Sequence, residues 1–67
     1  MRDKLLNLIT TKLDNNDEAM LTSKKTGMQY FIKSYDGRES WSLYEGCDLV
    51  VGDVTMDYIV RTLLRIA

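Results

Sequence analysis

The residues that do covalent chemistry are scarce in this chain. Its one cysteine, Cys47, has no histidine to activate it, because the chain contains none. A thiol attacks as the thiolate, which a neighbouring base or cation must favour. The ionisable neighbours of Cys47 are Glu45 and Asp48, and carboxylates raise a thiol pKa. Cys47 is therefore read as a buried or incidental structural residue. One cysteine and no histidine also leave almost no ligands for a transition metal. Oxygen side chains at Asp14, Asn16 and Glu18 suggest a calcium loop, but an EF-hand needs glycine at its sixth position and glutamate at its twelfth. Ala19 and Lys25 stand there instead, so the motif fails. The carboxylate pairs Glu45 with Asp48 and Asp53 with Asp57 could share acid and base roles only in a cleft that separates their pKa values. Turn and helix-entry duties explain them better. Glycines 27, 37, 46 and 52 fit no phosphate-loop spacing. The expectation is a non-enzymatic protein with no catalytic residue, cofactor or metal.

Recognition chemistry is better represented. Residues 28–45 hold the only tryptophan, the only phenylalanine and three of the four tyrosines. Asp36-Gly37 flanked by β-forming residues is a strong hairpin signal. It predicts strands over 28–35 and 38–45. With a two-residue turn, Tyr35 faces Arg38, Ile32 faces Trp41 and Tyr30 faces Leu43. Met28, Tyr30, Ile32, Trp41 and Leu43 then share one side. Gln29, Phe31, Lys33, Ser40, Ser42 and Tyr44 share the other. A four-residue loop would shift the pairing by two and keep every residue on its face.

The elements around the hairpin follow from periodicity. Residues 2–14 read as an amphipathic helix with Leu5, Leu6, Ile9 and Leu13 on one stripe and Leu8 at its edge. Asp14-Asn15-Asn16-Asp17 should end it, since short polar side chains compete for backbone hydrogen bonds. Residues 20–25 suit a strand, turned by Thr26-Gly27 so that Leu21 lies opposite Ile32 and Ser23 opposite Tyr30. The apolar run 48–52 suits one more strand. Asp53 or Thr55 then caps a helix over about 55–66, with Ile59, Leu63 and Ile66 on its stripe and Tyr58, Val60 and Leu64 flanking. The fold class is α+β: an N-terminal helix, a three- or four-stranded antiparallel sheet built on the central hairpin, and a C-terminal helix. The simplest packing puts both helices on the face of Tyr30, Ile32 and Trp41.

Size and charge bound the rest. Residues 1–67 make a single small domain, and a chain this short buries only about 60% of its unfolded surface. With no disulfide and no metal, docking on a larger protein or homodimer formation is the remaining help. Composition is 45% hydrophobic and 28% charged with net charge −1, which argues against disorder. No apolar run is long enough to span a membrane. Asn7 and the Thr10-Thr11-Lys12 stop leave no signal-peptide core, so a cytoplasmic location with Cys47 reduced is expected. The near-zero balance hides polarity. Residues 24–38 carry Lys24, Lys25, Lys33 and Arg38 against Asp36 alone, whereas residues 39–57 carry five carboxylates and no cation.

If the Trp41 side is the core, then Phe31, Lys33, Tyr35, Arg38 and Tyr44 form the candidate partner-binding surface, because an open antiparallel face is normally polar. The leading expectation is a small regulator or inhibitor that binds another, larger protein, of the kind phages and mobile elements encode in number. The alternative is a nucleic-acid-binding regulator that stacks bases on the same aromatics beside Lys24, Lys25, Lys33 and Arg38. Low net charge weighs against it.

Overall fold

The computed structural model describes residues 2–66. Helix α1 (Arg2–Lys12) leads into four strands, β1 (Glu18–Thr22), β2 (Gln29–Lys33), β3 (Trp41–Glu45) and β4 (Asp48–Val54), and the chain closes with helix α2 (Met56–Ile66). The strands pair antiparallel in chain order, so β1 and β4 are the edges. The expected α+β class and element order are present, with four strands.

Alternation in the strands decides which face becomes the core. Tyr30 and Ile32 of β2, Trp41 and Leu43 of β3, and Ala19 and Leu21 of β1 point to one side and are buried. Ile9 of α1 and Ile59, Val60 and Leu63 of α2 pack into the same cluster, with Leu5, Leu13, Val51, Val54 and Met56 at its margin. Both helices thus cover one face, as the simplest packing required. The helical stripes are narrower than periodicity suggested. Leu6 and Ile66 remain largely exposed, and Val60, expected at a flank, is fully buried.

The connections differ from expectation for local reasons. Helix α1 ends at Lys12, and the Asp14 carboxylate accepts from the backbone N–H groups of Asn16 (2.8 Å) and Glu18 (3.2 Å). That tight turn, with Asp17 at φ 58°, starts β1 at Glu18, two residues earlier than the expected strand. The β1–β2 connection is wider than a two-residue turn, closed by the Ser23 N–H on the Met28 carbonyl at 2.9 Å and the Gly27 N–H on the Ser23 carbonyl at 2.8 Å, so Leu21 faces Tyr30 and Ala19 faces Ile32. The same displacement of two occurs in the central hairpin, where Ile32 pairs with Leu43 and Tyr30 with Glu45. The cause is the Asp36 side chain. It accepts from the Ser40 N–H at 2.9 Å and from the Ser34 and Ser40 hydroxyls, while Ser34 Oγ accepts from the Arg38 N–H at 2.8 Å. Positive φ falls on Gly37 and Arg38 rather than on Asp36 and Gly37. The result is a seven-residue connection, 34–40, in place of a two-residue turn. Faces are preserved because the shift is even. Met28 and Ser40 are the exceptions, since both fall outside the strands.

Two-residue geometry occurs instead between β3 and β4. Glu45 pairs with Asp48, and Gly46 takes φ 61°, the position that favours glycine in a type II′ turn. Cys47 completes this turn and is exposed, so of the expected alternatives, buried or incidental, the buried one does not hold. Further along β4 the register slips twice against β3, and Asp53 adopts φ 59°. The extra residues return Val54 to the core side, opposite Trp41. Thr55 then caps α2, its Oγ1 accepting from the Tyr58 N–H at 3.2 Å. Replacing Thr55 by alanine should cost about 1 kcal/mol. Urea unfolding would show this as a lower midpoint with an unchanged slope.

A candidate protein-interaction face

The side of the sheet opposite the helices carries no covering element among the described residues. Its side chains come from the alternate positions of each strand. Register aligns Met20 with Phe31, Phe31 with Tyr44, and Tyr44 with Leu49. Four apolar or aromatic side chains thereby cross all four strands in a single row. Directly opposed residues lie about 4.5–5.5 Å apart at Cβ, so the row is continuous. Met20 is 49% exposed and Leu49 is 59% exposed. Phe31 and Tyr44 between them are half-buried by their neighbours. Scattered apolar residues on a surface mean little, but a contiguous patch does.

A polar margin borders the row on one side. The Tyr35 and Tyr44 hydroxyls are 2.8 Å apart, which anchors the otherwise exposed Tyr35 ring beside the row. The Tyr44 phenol is pushed above its usual range, by this hydrogen bond first and by burial second, with Lys33 acting in the opposite direction. Lys33 Nζ lies 5.4 Å from the centre of the Tyr35 ring and 3.9 Å from the Glu18 carboxylate. Arg38 turns away to Asp17, with Nε at 2.6 Å from Oδ1. Of the five residues expected to meet a partner, Phe31, Lys33, Tyr35 and Tyr44 are therefore together, and Arg38 stands apart in the end loop. Met20 and Leu49 were missed. Neither belongs to the hairpin, and only strand register reveals that they extend its aromatic pair.

The four cations considered for nucleic acid do not converge. Lys24 and Lys25 sit in the β1–β2 connection at the start of β2, and Lys33 ends that strand. Four strand residues, Gln29–Ile32, lie between them, which spans about 13 Å. Lys33 and Arg38 each have an acidic neighbour already.

Several polar groups elsewhere have structural partners. Asp57 pairs with Arg2 at 2.7 Å and Arg61 at 3.1 Å, tying the two helices together. Tyr30's phenol is raised, by burial first and then by the charge and hydrogen bonding of Glu45. Among the described residues, no three of His, Cys, Asp or Glu could hold a metal ion together, and no helix is long and apolar enough to cross a membrane. No family model, curated protein or solved structure matches this chain.

The Asp36 carboxyl that shapes the end loop is held below its ordinary range, chiefly by the Ser40 side-chain and backbone hydrogen bonds. A depressed carboxylate stabilises the fold above its unfolded pKa, near 3.9, and the contribution is lost as pH falls through the lower folded value. Asp36→Ala should therefore lower the urea midpoint at pH 7. The gap from the parent should shrink as pH falls below about 4. A pH-independent gap would show that the carboxylate's charge is not what holds the loop.

Proposed function

We propose that this chain is a small protein-binding module, a regulator or inhibitor that docks on a larger protein through its uncovered sheet face. The observation that carries the reading is the row Met20, Phe31, Tyr44 and Leu49 in direct cross-strand register on the side away from both helices. An apolar and aromatic centre with a polar rim is the usual anatomy of a protein interface. Here Lys33, Glu18 and the paired tyrosine hydroxyls supply the rim. The face carries opposite charges in balance rather than a basic excess, which favours a protein surface over a phosphate backbone.

The experiment compares the parent chain with the Phe31→Ala/Tyr44→Ala double variant for capture and direct binding of a partner from the native host. A second copy of the chain would appear as a doubled solution mass that the double variant restores to monomer. Binding of random oligonucleotides that weakens steeply with salt would replace this reading with the nucleic-acid one.

A further inference from the structure

A second apolar surface lies on the helix side of the molecule. Helices α1 and α2 and the β1–β2 connection enclose a groove of about 470 Å³. Leu5, Leu8, Leu63 and Leu64 form its aliphatic walls, and Lys4, Lys24 and Lys25 stand around it. Leu8 is 45% exposed and Leu64 42% exposed, although leucines on amphipathic helices normally face a core. No carboxylate lines the groove, and none of the three lysines forms an ion pair among the described residues. An adjoining hollow of about 110 Å³, bounded by Leu21 and Tyr30, shares Leu5, Leu8 and Leu63 with the groove. It is several times the roughly 30 Å³ share of one water molecule, large enough to receive an apolar side chain.

We propose that this groove is a second docking site, and that it takes an acidic amphipathic peptide segment whose bulky apolar residue enters the hollow while its carboxylates meet Lys4, Lys24 and Lys25. An amphipathic helix laid in an aliphatic groove is a recurrent mode of recognition, and here the charge sign selects the partner. The lysines come from two elements, α1 and the β1–β2 connection. A bilayer surface calls instead for a broad apolar face turned outward, whereas of the groove's leucines Leu63 is buried, Leu5 is half-buried and only Leu8 and Leu64 are exposed. Single-stranded nucleic acid is held by rings on which bases stack, and the groove walls are aliphatic. The groove lies across the sheet from the Met20–Leu49 row, so one chain has room for two partners at once. This inference stands on different residues from the sheet-face reading and survives or fails separately.

The test titrates the ¹⁵N-labelled full chain with a synthetic helical peptide of about 15 residues that carries leucines on one face and glutamates beside them. A peptide with lysine in place of every glutamate and a sample of sodium dodecanoate serve as the other arms. Amide shifts should concentrate at residues 4–8, 23–25 and 63–64, and the lysine peptide should bind at least about tenfold more weakly. Lys24→Glu with Lys25→Glu should reverse that order, so that the lysine peptide becomes the tighter ligand. Both positions are exposed in a loop, so the spectrum of the free variant should remain dispersed. Equal binding of the two peptides, shifts that map to the open sheet face, no shifts at millimolar peptide, or a response to dodecanoate alone would each overturn the proposal.

Discussion

Replacing Trp41 by alanine should unfold most of the chain at room temperature. Trp41 opens β3 opposite Val54 and is only 7% exposed. It belongs to the same buried cluster as Ile9, Ile32, Leu43, Ile59 and Val60. Truncating a buried tryptophan costs about 3–5 kcal/mol, from lost burial and from the cavity left behind. A chain of 67 residues is below the size at which a single core supplies more than about 3–5 kcal/mol, so the loss takes most of its stability. No disulfide is available to offset the loss, because Cys47 is the only cysteine. Loss of amide dispersion in the NMR spectrum and of cooperative urea unfolding would record the effect. Trp41→Phe should recover much of both. A Trp41→Ala chain that unfolded at the parent's urea midpoint would show that the helices do not depend on this face.

The opposite outcome is expected on the other side of the sheet. Phe31→Ala combined with Tyr44→Ala should leave the chain folded and remove its binding to a partner. The two residues are directly paired across β2 and β3, and their rings are half-buried by one another and by the ends of the row rather than by a helix. Their removal strips the centre of the patch while the core cluster stays intact. Central aromatic anchors carry most of an interface's affinity, so the loss should be about 30-fold or more. Tyr44→Phe offers a graded control, since it keeps the ring and removes only the hydroxyl contact with Tyr35. If the double variant loses its cooperative transition as Trp41→Ala does, Phe31 and Tyr44 are part of the fold's support and not a free surface.

These two sides were separable in the sequence because strand alternation does not depend on register. Tyr30, Ile32, Trp41 and Leu43 would share a face under either hairpin alignment, and the same holds for Phe31 and Tyr44. Register itself was not legible, because side chains reshape the connections. Ser23 Oγ accepts from the Thr26 N–H in the widened β1–β2 loop, and Asp36 widens what looked like an Asp-Gly turn. Asp-Gly marks a turn by its capacity for positive φ, but the carboxylate found better partners in Ser34 and Ser40. The ends of the apolar row were hidden for the same reason. Met20 and Leu49 join Phe31 and Tyr44 only once both outer strands are in register. The slips in β4 and the left-handed Asp53 left no trace in the apolar pattern of residues 48–52. The lysine-rimmed groove is assembled from three elements distant in the chain, so no local spacing announces it.

The claim that the uncovered sheet face is the working surface rests most directly on one comparison. The parent chain, the Phe31→Ala/Tyr44→Ala variant and the Lys24→Glu/Lys25→Glu variant are used as baits in host extract, and the protein captured by the parent is purified and titrated against all three. The account predicts that the parent and the lysine variant each engage this protein, while the aromatic variant, still folded by its NMR spectrum, binds it about 30-fold more weakly or not at all. A folded aromatic variant that binds the same protein within about twofold of the parent would contradict it.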